Sequence, residues 1–201
     1  IYGDAQVFRN QFENGWMGLG GVIVRDVAGT GSLTSTQVYA SAAYHQMLGL
    51  SSLLTAGFNL GWANKRIDQS KLTFPDQFDG QFFDNTLPTS VQLLNNSSSY
   101  FDMQVGLNYA YFPTKDIYIN AGYSIQHVNR PKETFFEEGD NARISIRNIG
   151  FLNALIKTSD VVIINPAAYF TTDARAIEFT LGMNAAYDLI GDGSKQIIGG
   201  L

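Results

Sequence analysis

The chain contains two histidines, His45 and His127, the first residues to weigh for metal binding or acid–base chemistry. No carboxylate lies beside either one at a spacing typical of metal ligands. His127 falls on the apolar side of an alternating segment, near its end, where an imidazole suits a bilayer interface. We therefore expect both histidines to have structural or interfacial roles, and we predict no metal site.

Three other segments contain residue types associated with chemistry, but each lacks the full motif. Gly18–Gly21 is glycine-rich without the lysine and helix of a phosphate loop. Asn95–Ser99 is serine-rich, but the sequence has no Gly-x-Ser-x-Gly nucleophile elbow. The acidic cluster Glu137–Asp140 lacks the ligand spacing of a calcium loop. We predict no catalytic residues and no cofactor, and therefore a protein that is not an enzyme.

The composition of the chain excludes several further classes of protein. Only 15% of the 201 residues are charged, against about 25% in an ordinary soluble domain. The net charge of -5 argues against nucleic acid as a partner, since phosphate binding needs a basic surface. The absence of cysteine excludes a disulfide scaffold.

Hydrophobicity with a period of two is the dominant pattern in the chain. Ser52–Ala63, Tyr100–Phe112, Ile117–His127 and Ile177–Leu189 each alternate apolar residues with small or polar ones. Because side chains alternate across a strand, each segment is predicted to be a strand with one apolar face. Weaker patterns predict further strands at Tyr2–Phe12, Gly15–Val27, Thr36–Leu48, Arg143–Ile156 and Val161–Phe170.

The length of these strands and the chemistry of their second face indicate a membrane. A tilted strand needs about 9–11 residues to cross a bilayer, and the clearest segments reach or exceed that. Their second face carries glycine, amides and hydroxyls where a soluble sheet usually has lysine and glutamate. We predict an antiparallel transmembrane β-barrel, in which Asp102 and Glu178 could pair with arginines across the lumen. The residues predicted to face the lumen are Asn59, Asp102, Gln104, Asn108, Asn120, Gln126, Glu178 and Asn184.

Long and short connections mostly alternate along the chain, as in outer-membrane barrels with long external loops and short periplasmic turns. The long connections, Ile67–Ser99 and Asn129–Asn141, are therefore predicted to lie outside the cell, and Pro113–Asp116 in the periplasm. Apolar side chains in such loops mark either a packed plug or a partner surface, and the sequence does not separate the two. The candidate partner-binding residues are Phe74, Phe78, Phe82, Phe83, Phe135 and Phe136.

Several segments, in order along most of the chain, resemble the PorP/SprF family of outer-membrane proteins of the type IX secretion system of Bacteroidetes. Each segment is short, and their order and spacing carry the resemblance. The matching segments are Phe8–Gln11, Gly18–Gly21 with Arg25, Asp26 and Gly29, Tyr39–His45, Leu54–Phe58, and Ala121–Tyr123 with His127–Pro131.

The resemblance implies an integral protein of the bacterial outer membrane, and we predict a barrel of roughly 12–14 strands in the full chain. It also implies an accessory role in secretion, docking cargo or machinery at the cell surface. The expected partners are the lipid bilayer, adhesins that carry a type B C-terminal domain, other type IX cargo and other secretion-system proteins. One alternative is an outer-membrane channel for small or hydrophobic substrates, and a second is a soluble β-sandwich binding module.

The sequence indicates one barrel domain over residues 1–201, with no linker between separate parts. In the resembled family, the Arg-Asn-Gln segment usually lies well before the Gly-Leu-Gly-Gly strand, whereas here Gln11 and Gly18 are nearly adjacent. Either this member lacks a hairpin or a stretch between about residues 11 and 18 is missing, and we favour the second. We also expect the full chain to continue past residue 201.

Overall fold

A computed structural model describes residues 1–29, 31–84, 86–91, 95–134, 142–190 and 195–201. Within these ranges the chain forms ten strands, and every strand predicted from alternation is present. The strands are β1 (Tyr2–Phe12), β2 (Gly15–Ala28), β3 (Leu33–Met47), β4 (Ser52–Arg66), β5 (Ser97–Thr114), β6 (Ile117–Gln126), β7 (Arg147–Lys157), β8 (Val162–Asp173), β9 (Ala176–Asp188) and β10 (Gln196–Gly200).

All ten strands form one antiparallel sheet in which neighbours along the chain are neighbours in space. This confirms the predicted all-β antiparallel fold. The order begins at β1 and ends at β10, and these two strands are not paired with each other. No second sheet packs on the first among the described residues, so the arrangement differs from the two-sheet sandwich of the soluble alternative.

Large apolar side chains remain exposed on one face of the sheet. Leu107 of β5 is 58% exposed, and Leu181 of β9 is 68% exposed. The buried hydrophobic residues of the described chain are three alanines, Ala63, Ala110 and Ala142. A sheet with so little apolar core of its own is stabilised by what covers its apolar face, and lipid satisfies that requirement.

Three irregularities interrupt the ladder in the described part of the chain, one of which is a register shift between Tyr111 and Thr114 where β5 pairs with β6. The pairing of β1 with β2 shifts register between Val7 and Phe12, next to Phe8, whose φ is 55°. In β8, Pro166 lies where pairing with β7 is interrupted between Ala167 and Ile164, because proline has no N–H to donate. The turn between β1 and β2 follows Phe12 directly, and the expectation of a missing stretch there stays a prediction.

The two longest connections lie at the same end of the sheet, an end that they share with the two-residue turn between β8 and β9. β3–β4, β5–β6 and β7–β8 join through short turns at one end, whereas the long β4–β5 and β6–β7 connections both lie at the other. The described part of the β4–β5 connection contains two 3₁₀ turns, Gln69–Lys71 and Pro75–Gln77. No helix in the described part of the chain is long and apolar enough to cross a membrane.

Candidate functional site

The strand register places all eight residues predicted to face the lumen on one side of the sheet, which we call the polar face. Directly opposed residues of an antiparallel pair share a face, so Asn59 lies beside Gln104 and Asn108 lies beside Gly122. The opposed pairs from β6 through β7 and β8 to β9 place Glu178 and Asn184 on this face as well. That this face lines a lumen stays a prediction.

Asp102 is the centre of a hydrogen-bonded cluster on the polar face, and its side chain is fully buried. The Tyr39 hydroxyl donates to Oδ2 at 2.9 Å, and the Gln104 amide donates to the same oxygen at 3.0 Å. Nδ1 of His127 lies 2.8 Å from Oδ1. The prediction that Asp102 pairs with an arginine is therefore wrong, because a tyrosine, a glutamine and a histidine occupy both of its oxygens.

A glycine makes this cluster possible. Tyr39, Gly61 and Asp102 are opposed in a row across β3, β4 and β5. A methyl group at Gly61 would overlap the ring of Tyr39. The missing side chain therefore lets the tyrosine ring lie across β4 and bring its hydroxyl to a carboxylate two strands away.

His127 reaches Asp102 because the backbone turns where β6 ends. Its φ is 58°, in the left-handed region that few non-glycine residues adopt. This conformation breaks the alternation of side chains, so the imidazole lies against the polar-face cluster. The prediction that His127 belongs to the apolar face is therefore wrong. Asn129 continues the attachment to β5, with its side chain bonded to the Met103 N–H at 3.1 Å and the Phe101 carbonyl at 2.7 Å.

The remaining predicted chemistry residues are separated from one another. His45 lies on the polar face, with Nδ1 2.9 Å from the Thr55 hydroxyl and its ring stacked on Trp16 at 5.1 Å. Glu178 makes no ion pair within the described part of the chain. Within those same ranges, no three acidic or histidine side chains are grouped in a way that could hold a metal ion. The prediction that the protein is not an enzyme stays a prediction.

The loop aromatics form a second candidate site. Phe78, Phe82 and Phe83 are 47%, 72% and 61% exposed, and we call these three residues the aromatic patch. The rings of Phe78 and Phe83 are 5.1 Å apart. Phe74, which precedes Phe78 in the same loop, is half-buried. Phe135 and Phe136 lie outside the described residues.

Polar side chains hold the backbone beneath the aromatic patch. Gln77 is 5% exposed, accepts from the Phe74 N–H at 3.0 Å and donates to the Leu87 carbonyl at 2.7 Å. Asp79 accepts from the backbone N–H of Phe82 at 2.7 Å. Sequence reasoning missed Gln77, because a lone glutamine between aromatic residues carries no recognisable signal.

Carboxylates tie distant parts of the same loop together. Asp76 accepts from the Ser90 N–H at 2.6 Å and from the Thr89 hydroxyl at 2.9 Å. The Ser90 N–H and hydroxyl, followed by the Thr89 hydroxyl, lower the pKa of Asp76 below its ordinary value. The N–H groups of Phe82 and Gln81 lower the pKa of Asp79 in the same way. The ionised form of each carboxylate is therefore the form that the folded loop favours.

The two long connections contact each other at their common end of the sheet. Lys65, at the end of β4, pairs with Glu133 of the β6–β7 connection at 2.7 Å. The Thr134 N–H donates to the Ser98 hydroxyl at 3.0 Å, and its carbonyl accepts from Asn95 at 2.8 Å. The aromatic patch thus belongs to a loop whose base is joined to the second long connection.

A single antiparallel sheet with an exposed apolar face and mostly uncharged polar groups on the other face is typical of an all-β membrane protein. The chain belongs to the family described as type IX secretion system membrane protein PorP/SprF, whose model matches residues 2–201. No curated protein matches the chain. Among solved structures, it is similar to a CymD monoaromatic hydrocarbon channel, at 9% identity and a TM-score of 0.42 over 100% of this chain and 80% of that one. A likeness this distant carries no argument about function.

Proposed function

We propose that this type IX secretion protein resides in the outer membrane and docks a secreted cargo domain or another secretion component through its aromatic patch. The observation that carries the proposal is the exposure of Phe78, Phe82 and Phe83 on a loop whose backbone is fixed by Gln77 and Asp79. Exposed aromatic residues on a rigid support are typical of binding hot spots, since little conformational entropy is lost when they are covered.

Site-specific photo-crosslinking in intact cells tests this proposal. A photoreactive phenylalanine analogue replaces Phe82, and the crosslinked products are identified by mass spectrometry. We expect a crosslink to a secreted cargo domain or a secretion-system protein. The control position is Leu50, which is 98% exposed in the turn between β3 and β4, at the other end of the sheet.

A pair of serine substitutions tests how much the aromatic patch contributes to partner binding. We expect Phe82→Ser with Phe83→Ser to lower the recovery of the co-purified partner by about tenfold or more, as loss of a hot spot does. Val91→Ser is the matched control, because Val91 lies in the same loop and is 44% exposed. Equal recovery with all of these variants, or the same crosslinked products from Phe82 and Leu50, would contradict docking through the aromatic patch.

An outer-membrane channel is the alternative function, and a conductance measurement distinguishes it from docking. The docking proposal expects no stable open-channel current from the purified protein in a planar bilayer. A steady current that the loop substitutions leave unchanged would favour transport through the lumen instead.

A further inference from the structure

A pocket of about 330 Å³ lies on the polar face where β4, β5, β6 and β7 run side by side. Gly57 and Gly106 oppose each other in its floor. With no side chain at either position, the backbone itself forms the bottom of the pocket. The side chains around it are Thr55, Asn59, Gln104, Asn108, Ser124, Gln126 and Phe151.

Phe151 provides an aromatic wall in a fixed position. It is opposed to Gly122, and a methyl group on that glycine would overlap its ring. The ring therefore lies over the glycine, across the neighbouring strand, toward Asn108. Phe151 remains 38% exposed, so part of the ring is open to the pocket.

Several polar groups of the pocket have no partner in the described part of the chain. The Oδ1 atom of Asn108 is buried and accepts no hydrogen bond from any described residue. The side chains of Ser124 and Gln126 likewise form no hydrogen bond within the described ranges. Asn59 differs, since it donates to Gln104 at 3.2 Å. A polar side chain without a partner in the described protein, such as that of Ser124 or Gln126, retains hydrogen-bonding groups that can bond to a ligand hydroxyl.

The chemistry of the lining excludes several ligand classes. No lining residue is charged, so a phosphate, carboxylate or ammonium group would enter without a counter-charge. The opposed residues of β4, β5 and β6 already pair in continuous ladders around the pocket. An extended peptide therefore finds no free backbone edge to extend, and recognition must come from side chains.

We propose that this pocket binds a neutral saccharide, with a sugar ring against Phe151 and its hydroxyls bonded to Asn108, Ser124 and Gln126. Amide side chains both donate and accept, which suits neighbouring hydroxyl groups. A sugar ring offers C–H groups to an aromatic face while its hydroxyls point sideways to polar groups. The volume lies at the lower end of the range for small-ligand pockets and suits one or two sugar rings.

Saturation-transfer NMR on the folded protein tests the proposal. The detergent is lauryldimethylamine oxide, because a maltoside detergent would itself supply sugar. The probes are maltose, N-acetylglucosamine and, as a neutral peptide, acetylated triglycine amide. We expect saturable binding of at least one of the two sugars, and an affinity about tenfold weaker in Asn108→Ala, where the buried amide is lost.

Two further variants keep the test decisive. Phe151→Leu retains an apolar side chain without the flat ring, and we expect it to weaken sugar binding even if Asn108→Ala does not fold. Asn184→Ala alters an amide on the same face but on β9, outside the pocket, and should leave the affinity unchanged. Heat-modified mobility on denaturing gels identifies the variants that fold.

Three results would overturn the saccharide proposal. The first is the absence of saturable binding for both sugars. The second is undiminished binding by folded Asn108→Ala and Phe151→Leu. The third is binding of the triglycine amide with neither sugar bound, which would assign the pocket to a peptide instead.

Discussion

At the scale of single residues, glycines on the polar face do two different things. Gly61 and Gly122 leave room for Tyr39 and Phe151 to lie across a neighbouring strand. Gly57 leaves open space instead, because the nearest atom to an added methyl group there is 3.9 Å away. In β4, glycine therefore leaves room for an aromatic ring at Gly61 and forms a pocket floor at Gly57, four residues away in the same strand.

This difference predicts opposite results for two glycine substitutions in β4. Gly61→Ala should displace Tyr39 and remove a donor from the buried Asp102, at a cost of about 1–3 kcal/mol in the free energy of unfolding. Gly57→Ala, in the same strand and on the same face, should stay near the wild-type value. Urea unfolding of the refolded protein in detergent measures both. Equal stability of the two variants would show that the Tyr39–Asp102 contact contributes little.

At the scale of elements, the long β4–β5 connection is ordered by its own carboxylates. Asp76 joins the 3₁₀ turn at Pro75–Gln77 to Thr89 and Ser90, far along the loop. Asp79 fixes the backbone at Phe82. The aromatic patch is therefore supported by hydrogen bonds whose acceptors must be ionised to act at full strength.

The β4–β5 connection should become less ordered as the pH falls. The pKa of Asp76 is lowered in the folded loop, so its contribution is complete above the ordinary value of 3.8 and is lost as pH falls through the lower folded value. We expect hydrogen exchange of the Ser90 amide, corrected for the intrinsic effect of pH, to accelerate across that fall.

The Asp76→Asn variant distinguishes the contribution of Asp76 to the pH response from that of Asp79. It should abolish the pH response at Ser90 and leave the response at Phe82, because Asp79 binds the Phe82 amide. A pH response at Ser90 that survives in the Asp76→Asn variant would assign the ordering of the loop to other groups.

At the scale of the whole molecule, the exposed apolar face requires a lipid or detergent covering. Leu181 and Thr180 are neighbours near the middle of β9, and the register places them on opposite faces. Leu181 shares its face with Ala168, and Thr180 shares the polar face with Tyr169.

Lysine at these two positions should therefore have unequal effects. A lysine facing lipid near the bilayer midplane costs about 2–4 kcal/mol, so Leu181→Lys should lower the folded fraction in lipid vesicles. Thr180→Lys should fold nearly as well as the wild type, because its side chain points away from lipid. The fraction that shows folded mobility on a denaturing gel measures the outcome. Equal loss in both variants would contradict the assignment of the two faces.

The strands and their faces are predictable from the sequence, because the alternation of side chains is a local property of an extended backbone. The four clear alternating segments became β4, β5, β6 and β9, and the eight predicted polar positions share one face. The sequence also locates the loop aromatics, since their position between strands follows from where the alternation stops.

The side chains that meet across strands depend on tertiary structure, because local alternation does not set how the strands pair. The Asp102 cluster joins residues 63 and 25 positions apart, and alternation does not specify the register that brings them together. Alternation predicts the wrong face for its histidine, His127, because a single residue in the left-handed conformation breaks the period of two. The pocket at Gly57 and Gly106 likewise exists because the register opposes two glycines, a relation that neither strand contains alone.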